Sequence, residues 1–460
     1  MFEKLLINNF TTNFFLLKFI NFSKLKNINL LNATLDYLLA NQKKIPTFSY
    51  PIYLNMFYYI CFNNYNNVEI KKKISKLHRL LFPSINYVNK NINNYNFNKN
   101  RKIKIGFIST NFRLHSVARD RTGIIVNLDK NKFDITIFYF NKFNDFYFNK
   151  LVNSGNKNIF LQGNFNNCIK QIENEKLDIL VYCDIGMQQE TYLLAHCRIV
   201  PIQITTWGHS ETTGINTIDY YISSILYEEN EEIAQQYYSE KIILHQSLCT
   251  YYYDQYYDLI YSSKDKNFKL PLKEQQIYLT YCQYLHKISD TDINIFINIL
   301  KKIKNIKIVF VNGNSSSTHE QQLIDRLGEY SKHIIILPKL RTGNLYDLIQ
   351  KSYLILDSFP HGGCNTSLEC FYYNKIIITK PSKYLRGRFT QGFYKKMNIN
   401  DCIVNNVNEY VQKVEQFVNN KKYKQEVENM ISINKYKLYN DIDSVHEWDK
   451  TLEKLYLSKC

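Results

Sequence analysis

The sequence predicts two consecutive open α/β domains, each built on a parallel sheet, behind a helical N-terminal region. Three features of the chain carry this. Short apolar, strand-like runs alternate with helix-like stretches in two separate series, which is the pattern of βαβ units. A polar, irregular stretch near 250–275 divides the two series. Residues 1 to about 95 carry helical rather than strand-like periodicity.

In chain order, IKKKISKLHRLLF at 70–82 places apolar residues at 70, 74, 77, 80 and 81, one face of a helix. A basic, Asn-rich linker follows at 89–102. The first strand series reads IKIGFIST (103–110), FDITIFYF (133–140), LDILVYCDIG (177–186), PIQITTWG (201–208) and IDYYISS (218–224). The second reads QIYLTYC (276–282), a helix over 290–303, IKIVFVNG (306–313), HIIILPKL (333–340), YLILDSF (353–359) and KIIITKP (375–381). Near the C-terminus Ser444 and Glu447 have capping-box spacing, and Val445, Trp448, Leu452 and Leu455 form an apolar stripe, so this segment reads as a docking helix. The implied division is a helical region and linker over 1–99, domains over 100–262 and 263–430, and the docking helix over 431–460.

Composition narrows the function classes. The chain has 460 residues, and its apolar fraction of 45% suits a globular protein with real cores. A net charge of +17 ordinarily raises nucleic acid as a partner. Here Lys, Asn, Ile, Tyr and Phe are inflated together, as AT-rich codons would cause, and the lysines are spread with KKK at 71–73 the only triple. No nucleic-acid partner is therefore expected. Ten cysteines include no C-x-x-C pair, and scattered thiols of this kind suit a reducing, cytoplasmic compartment. The apolar-looking segment MFEKLLINNFTTNFFLLKFINF is interrupted by Asn and Thr and lacks a cleavage pattern, so neither a leader nor a membrane span is expected.

The chemistry concentrates in LILDSFPHGGCNTSLEC at 354–370. Glycine is scarce, 14 of 460 residues, yet Gly362 and Gly363 stand together where a strand ends and a helix begins. Helix N-termini present unpaired N–H groups and a positive dipole end, which suits phosphate. Glycines just before such a helix would let the backbone approach a ligand closely. Asn365, Thr366 and Ser367 add polar side chains in the first turn, and Glu369 one turn on suits a ribose hydroxyl. The competing reading is a capping box between Thr366 and Glu369, which needs no ligand. Neither G-x-x-x-x-G-K-[ST] nor G-x-G-x-x-G occurs, against P-loop and dinucleotide sites.

With its neighbours the stretch resembles glycosyltransferase family 41, which contains the protein O-GlcNAc transferases and, close by, bacterial adhesin N-glucosyltransferases. LDSFPHGGCNTSLEC followed by KIIITKPSKYLRGRF resembles the diphosphate-binding region. KIGFISTNFRLHSVARD (104–120) resembles the first strand and its His-bearing loop, CRIVPIQITTWGHSETTGINTIDYYISS (197–224) the PIQ segment, and YLTYCQYLHKISDTDINIF (278–296) the block with an essential Gln and Lys. The resemblance covers roughly residues 100–405. It implies a GT-B fold, two Rossmann-like domains facing a cleft that holds a UDP-sugar, with an acceptor protein or peptide as second substrate.

The resemblance also implies roles. Asn365 and Thr366 match residues on the donor diphosphate, with Gly363 and Ser367 beside them, and Glu369 matches an acidic residue on the ribose. Lys287 matches a lysine that neutralises the departing UDP, and Gln283 its companion. His115 matches a histidine near the donor sugar and the acceptor, suited to help take the acceptor proton. Trp207 and Gly208 match a turn on the sugar, and Arg388 a motif arginine. Departures occur at GHSET (208–212), at Cys364 and at Leu345, while HSVAR (115–119) and IGM (185–187) stand closer to the glucosyltransferases. Asp290-Thr-Asp292 resembles a D-x-D metal site, but Ser289 and Asp290 read better as helix caps. No metal is therefore expected, with Lys287 and a helix dipole to balance the diphosphate. The leading expectation is an inverting transferase acting on Ser/Thr ahead of Asn. Alternatives are a glycan or lipid acceptor, or a decayed nucleotide-sugar-binding protein.

Overall fold

The computed structural model describes residues 25–49, 60–261, 264–313 and 315–460. The N-terminal apolar segment read above as too interrupted to span a bilayer lies outside the described residues. Among those described, no helix is long and apolar enough to cross a membrane. The chain divides into two compact units, Met1–Tyr252 with Asp441–Cys460, and Tyr253–Asn440.

The first unit is a seven-stranded parallel sheet of β1 Ile103–Ser109, β2 Phe133–Tyr139, β3 Lys157–Phe160, β4 Ile179–Tyr182, β5 Ile202–Thr206, β6 Tyr220–Ser224 and β7 Lys241–His245. Strand order is β3-β2-β1-β4-β5-β6-β7. The central strands are buried on both faces, as βαβ packing requires, and so read as unbroken apolar runs. Sequence patterning does not find β3 or β7. The first is a four-residue edge strand with an exposed Lys157 and half-buried partners, and the second, KIILH, begins on an exposed lysine and is only partly buried. The helices Leu25–Ala40 and Val68–Leu81 pack on each other. Their buried faces, including Leu31, Leu35, Ile74, Leu77 and Leu81, join one cluster with Leu180, Tyr182, Leu193 and Leu194. The N-terminal helices thus share the core of the first sheet.

The C-terminal helix runs from Ile442 to Leu457 and buries Val445, Trp448, Leu452 and Leu455, the stripe read from sequence. Trp448 donates its indole N–H to the Cys249 carbonyl at 3.1 Å. The capping box does not form, because the helix begins before Ser444 and that hydroxyl bonds Asp441 instead. Glu447 accepts the backbone N–H groups of Gln246 and Ser247, tying the helix to the end of β7.

The second unit is a five-stranded parallel sheet of β8 Ile277–Tyr281, β9 Ile306–Val311, β10 Ile334–Leu337, β11 Leu354–Leu356 and β12 Ile377–Ile378, ordered β10-β9-β8-β11-β12. In both sheets three consecutive strands run outward in one direction and the next returns beside the first. The switch points therefore fall between β1 and β4, and between β8 and β11. Loops at the carboxyl ends of such strand pairs are where open α/β sheets bind ligands.

Candidate active site

At the switch point of the second sheet, β11 leads directly into Asp357, a buried carboxylate that organises the whole turn. Its Oδ1 accepts the N–H of Gly363 at 2.8 Å and of Ser358 at 3.0 Å, and its Oδ2 accepts the Thr379 hydroxyl at 2.7 Å. Burial pushes this carboxyl above its ordinary value while those donors pull it back. The glycine pair is explained here. Neither glycine has a positive φ. A Cβ on Gly362 would stand 3.2 Å from Asp357 Oδ2, and one on Gly363 would stand 2.5 Å from Ser367 Oγ and 3.2 Å from Gln283 Nε2. The glycines are needed so that the turn can close over Asp357 and against its own helix, rather than for an unusual backbone shape.

That helix spans Asn365–Tyr372, with Cys364 at its N-cap and no side-chain cap bond. The Thr366–Glu369 capping box is absent. Thr366 is half-buried and lines a small cavity with Gln283, Asp357, Ser367 and Cys370. Ser367 is buried and shares a 2.7 Å hydrogen bond with Thr390. Glu369 points inward and accepts the Tyr346 hydroxyl at 3.3 Å. If the turn lies in the donor site that the sequence resemblance implies, Gly363→Val should weaken UDP binding at least about tenfold; in either case it should lower the melting temperature, because the added side chain must displace Ser367 and Gln283. Calorimetric titration beside a thermal melt checks this, and wild-type UDP affinity would remove the turn from the site.

At the end of β8, Gln283 and Lys287 come together: the ammonium donates to Gln283 Oε1 at 3.0 Å. The same ammonium lies 5.9 Å from the Tyr284 ring centre. Just beyond, Ser289 caps the helix Asp290–Lys302 in a capping box closed by Asp292. The D-x-D pair is thereby used up in structure. Asp292 is buried, accepts the N–H groups of Ser289 at 2.8 Å and Phe359 at 2.9 Å, and burial lifts its carboxyl to about 7. Asp290 is the first helical residue and pairs with Arg326 at 2.8 Å. No group of three or more His, Cys, Asp or Glu able to hold a metal occurs among the described residues.

Arg388 is buried and donates to the Ser382 carbonyl at 3.0 Å, bracing the 382–388 loop whose Arg386 carbonyl accepts Gly362 N–H. Its visible work is to support the glycine turn. Leu345 packs in an apolar cluster with Tyr278, Val309 and Leu348.

The first unit holds the other candidates. His115 caps the helix Ser116–Asn127, its Nδ1 accepting the N–H of Val117 at 3.2 Å. Burial, aided by the charges of Arg113 and Arg119, pushes the imidazole down to about 4. At neutral pH the ring is uncharged, and with Nδ1 acting as acceptor its single proton sits on Nε2. In that tautomer Nε2–H is the donor, while Nδ1 is engaged by the start of the helix. Trp207 is buried, its ring between the Arg121 guanidinium at 4.4 Å and Tyr227 at 5.4 Å. A Cβ on Gly208 would lie 2.5 Å from the Cys183 carbonyl and 3.1 Å from the Asp184 Cβ, so this glycine permits a close approach to the end of β4.

The GHSET segment is anchored from a distance in sequence. Glu211 accepts Lys71 Nζ at 2.6 Å and Asn67 Nδ2 at 2.8 Å, with Lys71 wholly enclosed. Sequence patterning misses this pair, because nothing local at the start of the Val68–Leu81 helix announces so distant a partner. It also misses Asp357 as the organiser of the glycine turn, although an acidic residue ending an apolar strand before Pro-His-Gly-Gly is the available signal.

The two units are the Rossmann-like halves of a GT-B protein. The fold is that of an O-GlcNAc transferase from Thermobaculum terrenum, solved as a point mutant, with a TM-score of 0.73 at 13% identity over 94% of this chain and 80% of that one. A glycosyltransferase from Rickettsia africae aligns with a TM-score of 0.50 at 13% identity, over 78% of this chain and 100% of its own. No family model matches the chain. Two curated relatives carry the name probable UDP-N-acetylglucosamine–peptide N-acetylglucosaminyltransferase SPINDLY. The one from Arabidopsis thaliana is 23% identical over 334 residues, 68% of this chain, and the one from Solanum lycopersicum 20% identical over 339 residues, 69% of this chain. The chain spans about a third of their length, 34% and 35%. These similarities bear out the resemblance to glycosyltransferase family 41.

Proposed function

We propose that the protein is an inverting glycosyltransferase that moves a sugar, N-acetylglucosamine or glucose, from a UDP-sugar to a protein side chain, Ser or Thr in preference to Asn. The observation that carries this reading is the meeting of Lys287, Gln283 and the Asn365–Tyr372 helix N-terminus at the switch point of the second sheet. These are the positions at which the family resemblance puts the donor diphosphate. Backbone N–H groups at the helix start and the Lys287 ammonium would receive the phosphate charge, with Asn365 and Thr366 beside them. The half-buried lysine supplies positive charge where the leaving diphosphate gains negative charge, so metal is not needed for that step. Glu369 would meet the ribose, provided its carboxylate turns from Tyr346. In the first unit His115, as an Nε2–H donor, and the Gly208 turn would contact sugar and acceptor. The activity named for the SPINDLY relatives, transfer of N-acetylglucosamine from UDP to peptide, is a chemical precedent.

The test is incubation with a panel of UDP-sugars and candidate acceptor proteins, scoring UDP release and intact acceptor mass. UDP alone is expected to raise the melting temperature in the presence of EDTA, since a ligand that binds only the folded state stabilises it. A UDP effect abolished by EDTA would reject the metal-free reading, and no UDP release from any donor would reject transfer itself.

A further inference from the structure

Two thiols from distant parts of the chain meet beside the glycine turn of the second unit. Cys282 follows β8 directly, ahead of Gln283, and Cys370 lies in the helix Asn365–Tyr372 that follows β11. β8 and β11 are adjacent, with Leu279 opposite Leu354, so the helix after β11 can reach the end of β8. Both thiols line the cavity that Gln283, Asp357, Thr366 and Ser367 also enclose, and they share a hydrogen bond. That cavity measures about 10 Å³, the space of a single water. The two differ in access: Cys282 is half-buried, whereas Cys370 is 0% exposed. Burial first, then the bond to Cys282 and the charges of Glu369 and Asp357, push the Cys370 thiol well above its ordinary value. Cys370 alone is thus a poor nucleophile, but a partner that an oxidant can reach stands against it.

We propose that Cys282 and Cys370 are a redox-responsive pair whose disulfide, formed by a peroxide, closes the donor site. The proposal rests on the transferase reading above and names a regulation of that same site. The Cys282 sulfur, as thiolate, attacks one peroxide oxygen and the O–O bond breaks. The departing hydroxide takes up the thiol proton and leaves as water, and Cys282 becomes a sulfenic acid. The Cys370 sulfur then attacks the Cys282 sulfur, the S–O bond breaks, and the oxygen leaves as a second water with the Cys370 proton. The thiol pair loses two electrons, which reduce one peroxide to two waters. A disulfide holds its sulfurs about 2.05 Å apart, well inside any non-bonded contact. Forming it therefore draws the end of β8 and the helix together across a cavity with no room to spare. Gln283, the next residue, accepts the Lys287 ammonium at 3.0 Å, and its Nε2 stands 3.2 Å from where a Cβ on Gly363 would be. The contraction moves the residues that the transferase reading gives to the diphosphate.

The test treats the full chain with hydrogen peroxide and maps its peptides by mass without reductant. A cross-link between the Cys282 and Cys370 peptides is expected, lighter than the two thiols by two hydrogens and opened by dithiothreitol. Calorimetric UDP affinity is expected to fall at least about tenfold in the cross-linked protein and to return on reduction. In Cys282→Ser and in Cys370→Ser, peroxide should leave UDP affinity where it was before treatment. Linkage supplies a second measurement, because UDP must oppose the disulfide by the factor with which the disulfide opposes UDP. In glutathione buffers, saturating UDP should therefore raise the midpoint potential of the pair, by about 30 mV for a tenfold effect. No such cross-link, a cross-link that leaves UDP affinity unchanged, or a peroxide effect that persists in Cys282→Ser overturns the proposal. Reduced wild-type protein that binds no UDP overturns the transferase reading and with it the control of the donor site, while the cross-link stands or falls on its own mass.

Discussion

Lys287→Met is expected to cut single-turnover sugar transfer at least about a hundredfold, a loss of roughly 3 kcal/mol in the transition state. The substitution keeps most of the length and the apolar stem of the side chain and removes the charge. That charge lies where β8 ends, 3.0 Å from Gln283 Oε1, beside the turn that Asp357 holds over the helix N-terminus. As the bond between sugar and diphosphate breaks, negative charge grows on the leaving UDP, so an ammonium there is worth more in the transition state than in the bound donor. UDP affinity should therefore fall by a smaller factor than the transfer rate. Calorimetric UDP affinity beside single-turnover transfer separates the two. Equal losses in both would make Lys287 a binding residue only, and wild-type transfer would take it out of the mechanism.

The parts of this site that are legible in sequence share one property: their partners are near in the chain. Ser289 and Asp292 are three residues apart and form the box their spacing announces. Gln283 and Lys287 are four apart and meet. The long apolar strands, β1 and β2, are readable because their residues are nearly all buried. By contrast β3 and β7 are short and half-exposed at the sheet edges. The capping pairs fail for an opposite reason. Ser444 and Glu447, and Thr366 and Glu369, have the right spacing, but Ser444 and Glu447 lie inside a helix that starts earlier. The two glutamates have stronger tertiary partners for their carboxylates, in the backbone of Gln246 and Ser247 and in Tyr346. Local propensity loses to tertiary hydrogen bonding wherever a buried donor would otherwise go unpaired. The glycine pair reads in sequence as clearance for a ligand. In the fold it is clearance for the protein's own Asp357, Ser367 and Gln283.

The same distinction predicts how the N-terminal helices matter. Lys71→Met should destabilise the first unit by about 3–5 kcal/mol, the usual cost of removing one partner from a buried ion pair. Lys71 is wholly enclosed and its ammonium lies 2.6 Å from Glu211 Oε1, which is itself only 4% exposed at its side chain. Asn67 donates to the other oxygen at 2.8 Å, and His209 Nδ1 stands 3.6 Å from the first. Packing reinforces the charge contact: Gly214 turns back at a φ of +70° directly against the Lys71 backbone, where a Cβ would collide. Thr212 and Thr213, between them, bond the buried Glu240. Without the ammonium, the enclosed Glu211 loses its lysine partner, and the 208–214 segment must rearrange around it. A lower melting temperature is the first readout. The second is the double variant Lys71→Met with Glu211→Gln, which removes both charges and keeps an acceptor for Asn67. It should recover a large part of the loss, because a buried carboxylate that has lost its ion-pair partner costs more than the missing attraction. A Lys71→Met protein that melts at the wild-type temperature would show that Glu211 is readily resolvated, and the N-terminal helix would then not be what holds the GHSET turn in place.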